Sequence, residues 1–503
     1  MTEYDILIIG SGAGGGTLAH ALASTGKKIL IVERGDYLPR EKENWDPGEI
    51  FLKARYKTEE KWYDKNGEAF KPGMYYHVGG NTKVYGAALL RLRERDFEEI
   101  HHHGGISPAW PLKYADFQPY YLEAEKLYHV HGERGVDPTE PPEKSPYFYP
   151  ALSHEEPLKK FFEGMQAMGH KPFPLPLGLR LNEKHRESAP CIRCDTCDGY
   201  PCLVDAKSDA EITCIKPALK HENVTLLRNS KAVRLETDAS GREVTGVIVE
   251  KEGGEEKLRA KIYVLSCGAI NSSVLLLKSA NAKHPNGLAN SSGLVGRNYM
   301  CHINSIVLSL HTSLNLSHYE KTFGLNDFYF GAPDWEYPLG HIQLLGNVKK
   351  EMLKGGAPPF TPSALLHGMA RHSIGWWISS EDLPDPENRV VLKGNGEIGL
   401  HYTKNNQEGH RRLIKKLKQI IRAIEPAIFL SEDMPIGAVA HQVGTCRFGK
   451  DPKTSVLDVN CKAHDVENLY VVDGSFFPSS SAVNPGLTIM ANALRVADVL
   501  HKL

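Results

Sequence analysis

Ile6 to Ile9 is an unbroken apolar run of strand length, followed at once by Gly10-Ser11-Gly12-Ala13-Gly14-Gly15 and a small-residue helical stretch, Thr17–Ser24. A second apolar run, Ile29–Val32, ends at Glu33. Short runs without polar alternation suit strands buried on both faces of a parallel sheet, so the opening reads strand, turn, helix, strand. Asn223–Leu235 and Glu243–Glu250 read as alternating strands, joined by the turn-rich Asp238–Arg242. Lys261–Ser266 is a further buried strand that runs through Gly268 into the apolar helix Ser272–Leu277. Between about 300 and 430, aromatic strands accompany a basic amphipathic helix, Glu408–Ile424. Leu469–Asp473 supplies one more apolar strand and Thr488–Leu500 a closing helix. The Pro- and charge-rich stretches Pro138–Pro150 and Met352–Pro362 read as surface loops, and no internal repeat is visible.

The opening meets three conditions together: a G-x-G-x-x-G string follows a strand, opens a helix and is followed by an acid, Glu33, after the second strand. Gly10 permits the tight turn, Gly12 lets the backbone approach a pyrophosphate, and Gly15 lets the helix pack on the strand. The helix N-terminus offers unpaired N–H groups to phosphates, and Glu33 would accept from ribose hydroxyls. The fold class expected is therefore α/β. A Rossmann-like domain, discontinuous in sequence, accompanies an α+β substrate domain built on an antiparallel sheet. The divisions fall at 1–98, 188–298 and 433–503 for the dinucleotide domain, and at 99–187 and 299–432 for the other.

Charge narrows the partners. Across 503 residues, 60 Lys plus Arg face 61 Asp plus Glu, a net charge of -1, which gives no reason to expect nucleic acid or an anionic membrane surface. No apolar run approaches membrane-spanning length, and Met1–Tyr4 runs into the first strand without the basic start and apolar helix of a secretory signal. A cytoplasmic protein is expected, with export alongside a folded partner left open. Nine cysteines do not suit a disulfide framework in a chain of this size.

Between NAD and FAD, the far end of the chain decides: Val471-Val472-Asp473-Gly474 resembles the strand-end signature of FAD proteins. Further motifs resemble the glucose–methanol–choline (GMC) oxidoreductases over most of the chain. Val78-Gly79-Gly80-Asn81-Thr82-Lys83-Val84-Tyr85-Gly86 is similar to the first family signature, and Gly268-Ala269-Ile270-Asn271-Ser272-Ser273 more loosely to the second. The most specific match is C-terminal: His441-Gln442-Val443-Gly444-Thr445-Cys446, then Asn468–Ser475, then Asn484-Pro485-Gly486-Leu487-Thr488. Within the family, Lys83–Arg93 and Cys191–Ala210 are most like pyranose oxidases and bacterial C-glycoside 3-oxidases.

The resemblance implies an FAD site drawing on Gly10, Gly12, Ala13, Gly14, Gly15, Glu33 and Arg34. Gly79, Gly80, Asn81, Thr82, Val84 and Val233 would join it, with Gly268, Asp473, Gly474, Asn484, Pro485 and Thr488. Fungal pyranose oxidases attach the flavin through a histidine of the first signature. Val84 stands there in this chain, so FAD is expected to be noncovalent.

Oxidising an alcohol requires a hydroxyl proton to leave as hydride passes from its carbon to flavin N5. An imidazole near pKa ~6.5 cannot fully deprotonate a free alcohol, but hydrogen-bonded to it can take the proton as hydride leaves. His441 is the expected base and Asn484 the donor to the developing oxyanion. Tyr329, Phe330, Trp335, Trp376 and Trp377 are candidate sugar platforms, and the alternation His341-Ile342-Gln343 puts His341 and Gln343 on one face. Gln343, His341 and Trp377 are the substrate contacts expected. The remaining histidines show no metal-ligand spacing.

Cys191, Cys194, Cys197 and Cys202 stand near an iron–sulfur spacing. The last gap is four residues where three is usual, and zinc or plain structural thiols are the other readings. The function expected is oxidation of a secondary hydroxyl, C3 or C2, of a sugar or glycoside to a ketone, with electrons passing to O2 to give H2O2. The alternatives are a dehydrogenase serving a quinone or cytochrome, choline-type primary alcohol oxidation, and a flavoprotein without alcohol turnover.

Overall fold

The computed structural model describes residues 3–439 and 441–503. In chain order the elements that position the site begin with β1 (Tyr4–Ile9), α1 (Ala13–Leu22), β2 (Ile29–Val32) and β3 (Pro172–Pro174). They continue with β4 (Val224–Leu227), β5 (Ala260–Leu265), α2 (Ala269–Lys278), β6 (Ile303–Leu310), β7 (Phe323–Leu325), β8 (His341–Leu344) and β9 (Ser373–Ser380). Last come α3 (Gln407–Ile424), β10 (Ile428–Asp433), β11 (Leu469–Val471) and α4 (Gly486–His501).

Five strands form a parallel sheet in the order β4-β2-β1-β5-β11, so its strands come from three separated stretches of chain. Ile6 is in register with Ile29 on one side and Ile262 on the other, and Ile9 with Val32 and Leu265. All four residues Ile6–Ile9 are buried, as the unbroken apolar run requires of a central parallel strand. α1 packs against α4 on this sheet.

α1 begins at Ala13, four residues before the helix expected from pattern, because glycines that read as a turn are already helical. A Cβ on Gly14 would stand 1.8 Å from the Val472 carbonyl oxygen, and one on Gly15 would stand 2.1 Å from that of Gly10. The glycines are set by how closely the helix approaches β11 and the end of β1, a tertiary demand that local propensity cannot report. Another expectation is corrected around Met352–Pro362. Lys350–Gly356 is helical there, and a second helix, Ser363–Arg371, follows.

A six-stranded antiparallel sheet, β10-β6-β9-β8-β7-β3, makes the second layer. His341 pairs with Ser379 and Gln343 with Trp377. Strand alternation then sends Ile342, Leu344, Trp376 and Ile378 to the face covered by α3, within one core with Leu413, Leu417 and Ile421. Each such buried leucine contributes about 1.5–3 kcal/mol relative to exposure. His341, Gln343 and Trp377 occupy the opposite face. Among the described residues no helix is long and apolar enough to cross a membrane.

Candidate active site

A cavity of about 410 Å³ opens beyond the carboxyl ends of β1, β2 and β5, where Ile9, Val32 and Ser266 line it. This is where parallel α/β sheets bind ligands. Gly10 takes φ +102°, and a Cβ there would meet the Ser266 carbonyl oxygen at 2.2 Å, so the turn requires glycine. A Cβ on Gly12 would meet nothing within 4 Å. Gly12 is also the N-cap of α1 and has no side-chain cap, so the first helical N–H groups face the cavity unclaimed by side chains.

Of the cofactor residues expected from sequence, Gly10, Gly12, Ala13, Gly14, Glu33 and Arg34 line the cavity. So do Gly80, Asn81, Thr82, Val233, Gly268, Asp473 and Gly474. Gly15, Gly79, Val84, Asn484, Pro485 and Thr488 lie outside its lining, and several have other work. Thr488 Oγ1 is hydrogen-bonded with Tyr121 Oη at 2.8 Å, tying α4 to the neighbouring helix. A Cβ on Gly79 would stand 2.9 Å from the Lys83 side chain.

Glu33 is buried, which pushes its carboxyl up, while hydrogen bonds from Ser11 Oγ (2.6 Å), Gly35 N (3.0 Å) and Ser11 N (3.1 Å) oppose the shift. Asp473 is also pushed up by burial. It accepts from Ser272 Oγ, Gly268 N and Ser475 N, clamping the end of β11 to the start of α2. Sequence reasoning missed Glu60, Trp62, Met74 and Tyr76, which line the cavity from a segment without regular periodicity. There Arg34 lies over the Tyr76 ring at 3.6 Å and pairs with Glu60 at 2.5 Å.

His441 stands next in the chain to the cavity-lining Gln442. Met300 and Val443 exchange backbone hydrogen bonds of 3.0 and 2.9 Å, an antiparallel bridge that sets residues 302 and 441 opposite one another. Asn484, in the turn before α4, places Nδ2 3.3 Å from His441 Nε2, and His302 Nδ1 lies 3.2 Å from His441 Nδ1. The Trp377 ring is centred 6.0 Å from that of His441. Burial first, then His302, Lys321 and His341, hold His441 well below the ordinary histidine range, so its imidazole is neutral at neutral pH. His302 carried no motif and was not anticipated.

The substrate-side residues form a buried chain. Asn326 Nδ2 donates to Asp137 at 2.8 Å, which turns Asn326 Oδ1 toward His341 Nδ1 at 2.6 Å and fixes the proton on that nitrogen. Burial pushes His341 down to about 3, so its other nitrogen is a bare acceptor. Gln343 Oε1 is placed 3.2 Å from that nitrogen. Two acceptors cannot bond, so the chemically consistent amide orientation is the opposite one, with the N–H toward the ring and the oxygen left to accept elsewhere.

Trp376 is a core residue packed against Phe161 and Phe323, and Trp335 packs on His103 and under Arg412. The Tyr329 hydroxyl is committed to Asp96. Of the five aromatics considered as platforms, Trp377 is the one in ring contact with His441, and its indole N–H is buried without a partner.

Cys191, Cys194, Cys197 and Cys202 are free thiols; burial pushes Cys197 up to about 12 and Cys191 to about 11. Among the described residues no three His, Cys, Asp or Glu side chains converge in a ligand set.

A split Rossmann-like sheet with a Gly-rich turn opening on a cavity is the architecture of a dinucleotide-binding protein. The chain belongs to the GMC oxidoreductase family, matched over residues 173–304 and 388–493, with an NAD(P)-binding Rossmann-like match over 8–40. Members of this family are FAD enzymes that act on CH–OH groups. The chain is 29% identical to paromamine 6'-oxidase of Streptomyces fradiae, over 99% of this chain and 91% of the relative. It is 26% identical to the fructose dehydrogenase large subunit of Gluconobacter japonicus, over 99% and 97%. Among solved structures, pyridoxine 4-oxidase from Mesorbium loti shares the fold at a TM-score of 0.67, with 17% identity and full coverage of both chains. The uncapped helix start, the open space at Gly12 and the acid at Glu33 fit the adenosine diphosphate portion of FAD.

Proposed function

We propose that this protein oxidises a secondary ring hydroxyl, at C3 or C2, of a glucose-type sugar or glycoside to a ketone, with O2 as electron acceptor and H2O2 as product. The observation that carries the reading is His441, next in the chain to the cavity-lining Gln442, with its Nε2 3.3 Å from Asn484 Nδ2. FAD held noncovalently by the residues lining that cavity would supply the acceptor for the hydride leaving the substrate carbon.

His441 Nε2 accepts the hydroxyl proton as the carbon is oxidised, which avoids a free alkoxide. Asn484 Nδ2 donates to the oxygen as its charge grows. Substrate entering between them replaces the long Asn484–His441 contact with shorter ones to its own hydroxyl. Trp377 offers an indole N–H and an apolar face, the Gln343 carbonyl accepts from a neighbouring ring hydroxyl, and His341 holds that amide in place. Neutral donors and acceptors of this kind suit a polyhydroxylated ring better than a quaternary ammonium, which needs a cage or carboxylate.

The relatives' names favour a second reading on two points. One is named for a 6' position, so oxidation at C6 to an aldehyde competes with ring oxidation. Another is named a dehydrogenase, so a quinone or cytochrome competes with O2. Anaerobic bleaching of the flavin with a panel of sugars, glycosides and choline, followed by air and product NMR, tests each point. A ring ketone and prompt reoxidation by air support the proposal. An aldehyde or glycine betaine overturns its chemistry, and failure to reoxidise overturns its acceptor.

A further inference from the structure

His302 does not touch the cavity, yet it holds the one ring nitrogen of His441 that faces away from Asn484. Its own Nε2 lies 3.0 Å from the main-chain oxygen of Ser480. A carbonyl oxygen only accepts, and unlike a side-chain amide it cannot be turned to donate. His302 must therefore carry its proton on Nε2. His302 is buried and His441 half-buried, and desolvation holds both below the ordinary histidine range, so each carries one proton. His302 Nδ1 is then a bare acceptor, and the 3.2 Å contact to His441 Nδ1 requires the proton to sit on His441. It follows that His441 Nε2, the atom beside Asn484, is the unprotonated one. We infer that His302 is a positioning residue that selects the His441 tautomer able to accept a proton at Nε2, with the Ser480 carbonyl as the fixed reference.

The surroundings of His302 support this. Its φ is +61°, a left-handed conformation that a residue with a Cβ keeps only where its neighbours over-determine it. On one side Cys301 N donates to Asp382 Oδ2 at 3.0 Å. On the other, Ser480 Oγ donates to the Asp382 carbonyl at 2.9 Å and receives Asp382 N at 3.2 Å, so the reference carbonyl and the His302 backbone are tied to the same residue. The two imidazoles meet edge to face, centres 5.1 Å apart at 77°, which directs one nitrogen of His302 at one nitrogen of His441. When His441 gains a second proton during turnover, His302 Nδ1 still accepts from Nδ1–H and steadies the ring.

The inference rests on His441 as the proton acceptor, and the test separates the two. His302→Ala removes the acceptor, whereas His302→Asn keeps an oxygen near the Nδ1 position and tolerates positive φ. In FAD-loaded protein carrying 15N-histidine, with His441→Ala used to assign the signal, wild type should show His441 protonated at Nδ1 and bare at Nε2. H302A should show both tautomers and reduce its flavin about 10–100-fold more slowly, the range for losing an orienting partner of an imidazole. Substrate Kd and FAD content should stay unchanged, and H302N should recover most of the rate. A wild-type tautomer signal in H302A, or an unchanged reduction rate, overturns the role of His302. An unimpaired H441A would instead overturn His441 as the base, while leaving the tautomer measurement to judge His302.

Discussion

Asn484 Nδ2 lies 3.3 Å from His441 Nε2, and no other side chain is hydrogen-bonded to that nitrogen among the described residues. A donor and a base facing each other across a gap of this length are set to share one substrate oxygen. His441→Ala should retain FAD but slow anaerobic flavin reduction by about 10²–10⁴, the usual cost of a lost general base. Asn484→Ala should cost about 10²–10³, as loss of one oxyanion donor does. Stopped-flow reduction at saturating sugar reads both, and an unchanged rate in either variant removes that residue from the chemistry.

The glycines of the first turn separate a folding role from a binding role. A Cβ on Gly14 would stand 1.8 Å from the Val472 backbone oxygen, so Gly14→Ala should yield little folded protein. Gly12 has φ -71° and open space around it, so Gly12→Ala should keep its thermal stability to within about 1 kcal/mol. The added methyl projects into the cavity, and flavin content measured by absorbance should fall. Equal behaviour of the two variants would contradict this division.

Much of this was legible from residue order. The apolar runs at Ile6–Ile9, Ile29–Val32 and Lys261–Ser266 fall on three strands of the parallel sheet, and the amphipathic run from Glu408 on α3. His341 and Gln343 share a face, as strand alternation predicts, and strand pairing brings Trp377 to it. Alternation could not say whether Trp376 or Trp377 faces the core, because that depends on where α3 packs. His302 was invisible for a similar reason. Its role depends on the Met300–Val443 bridge and on the Ser480 carbonyl, contacts between segments far apart in sequence. Glu60 and Tyr76 reach the cavity from a segment of little regular structure, where periodicity gives no signal.

Gln343 should affect recognition more than chemistry. Gln343→Leu removes the carbonyl acceptor and leaves His341 without its partner on the ring face. Losing one hydrogen bond of about 1.5 kcal/mol should raise KM roughly tenfold with a smaller change in kcat. Steady-state kinetics on the best sugar of the panel would show it, and an unchanged KM would place the sugar elsewhere.

Flavin attachment is tested without kinetics. Val84 offers no nucleophile, and its backbone N–H closes the short turn onto the Asn81 carbonyl. Acid precipitation should release all yellow colour to the supernatant. Colour kept in the pellet would mean a covalent bond from some other side chain.

The pH dependence of flavin reduction follows from where His441 sits. Desolvation disfavours the imidazolium, and His302, Lys321 and His341 add to the shift, so the pKa of His441 lies well below the ordinary ~6.5. The neutral ring is the competent base, so protonation inhibits. The reduction rate should therefore stay level from about pH 8 down through 6.5, and fall tenfold per unit only at more acidic pH. Stability must be followed in parallel. An unfolded chain protonates these histidines near pH ~6.5 while the folded one does not, so their contribution is complete above that pH and is lost as pH falls toward the folded values. His341, held at about 3, loses its share only in strongly acidic solution. Circular dichroism and flavin content at each pH keep unfolding from being read as titration of the base. An acid limb at or above 6.5 in folded, flavin-loaded protein would show that the titrating group is not a desolvated His441.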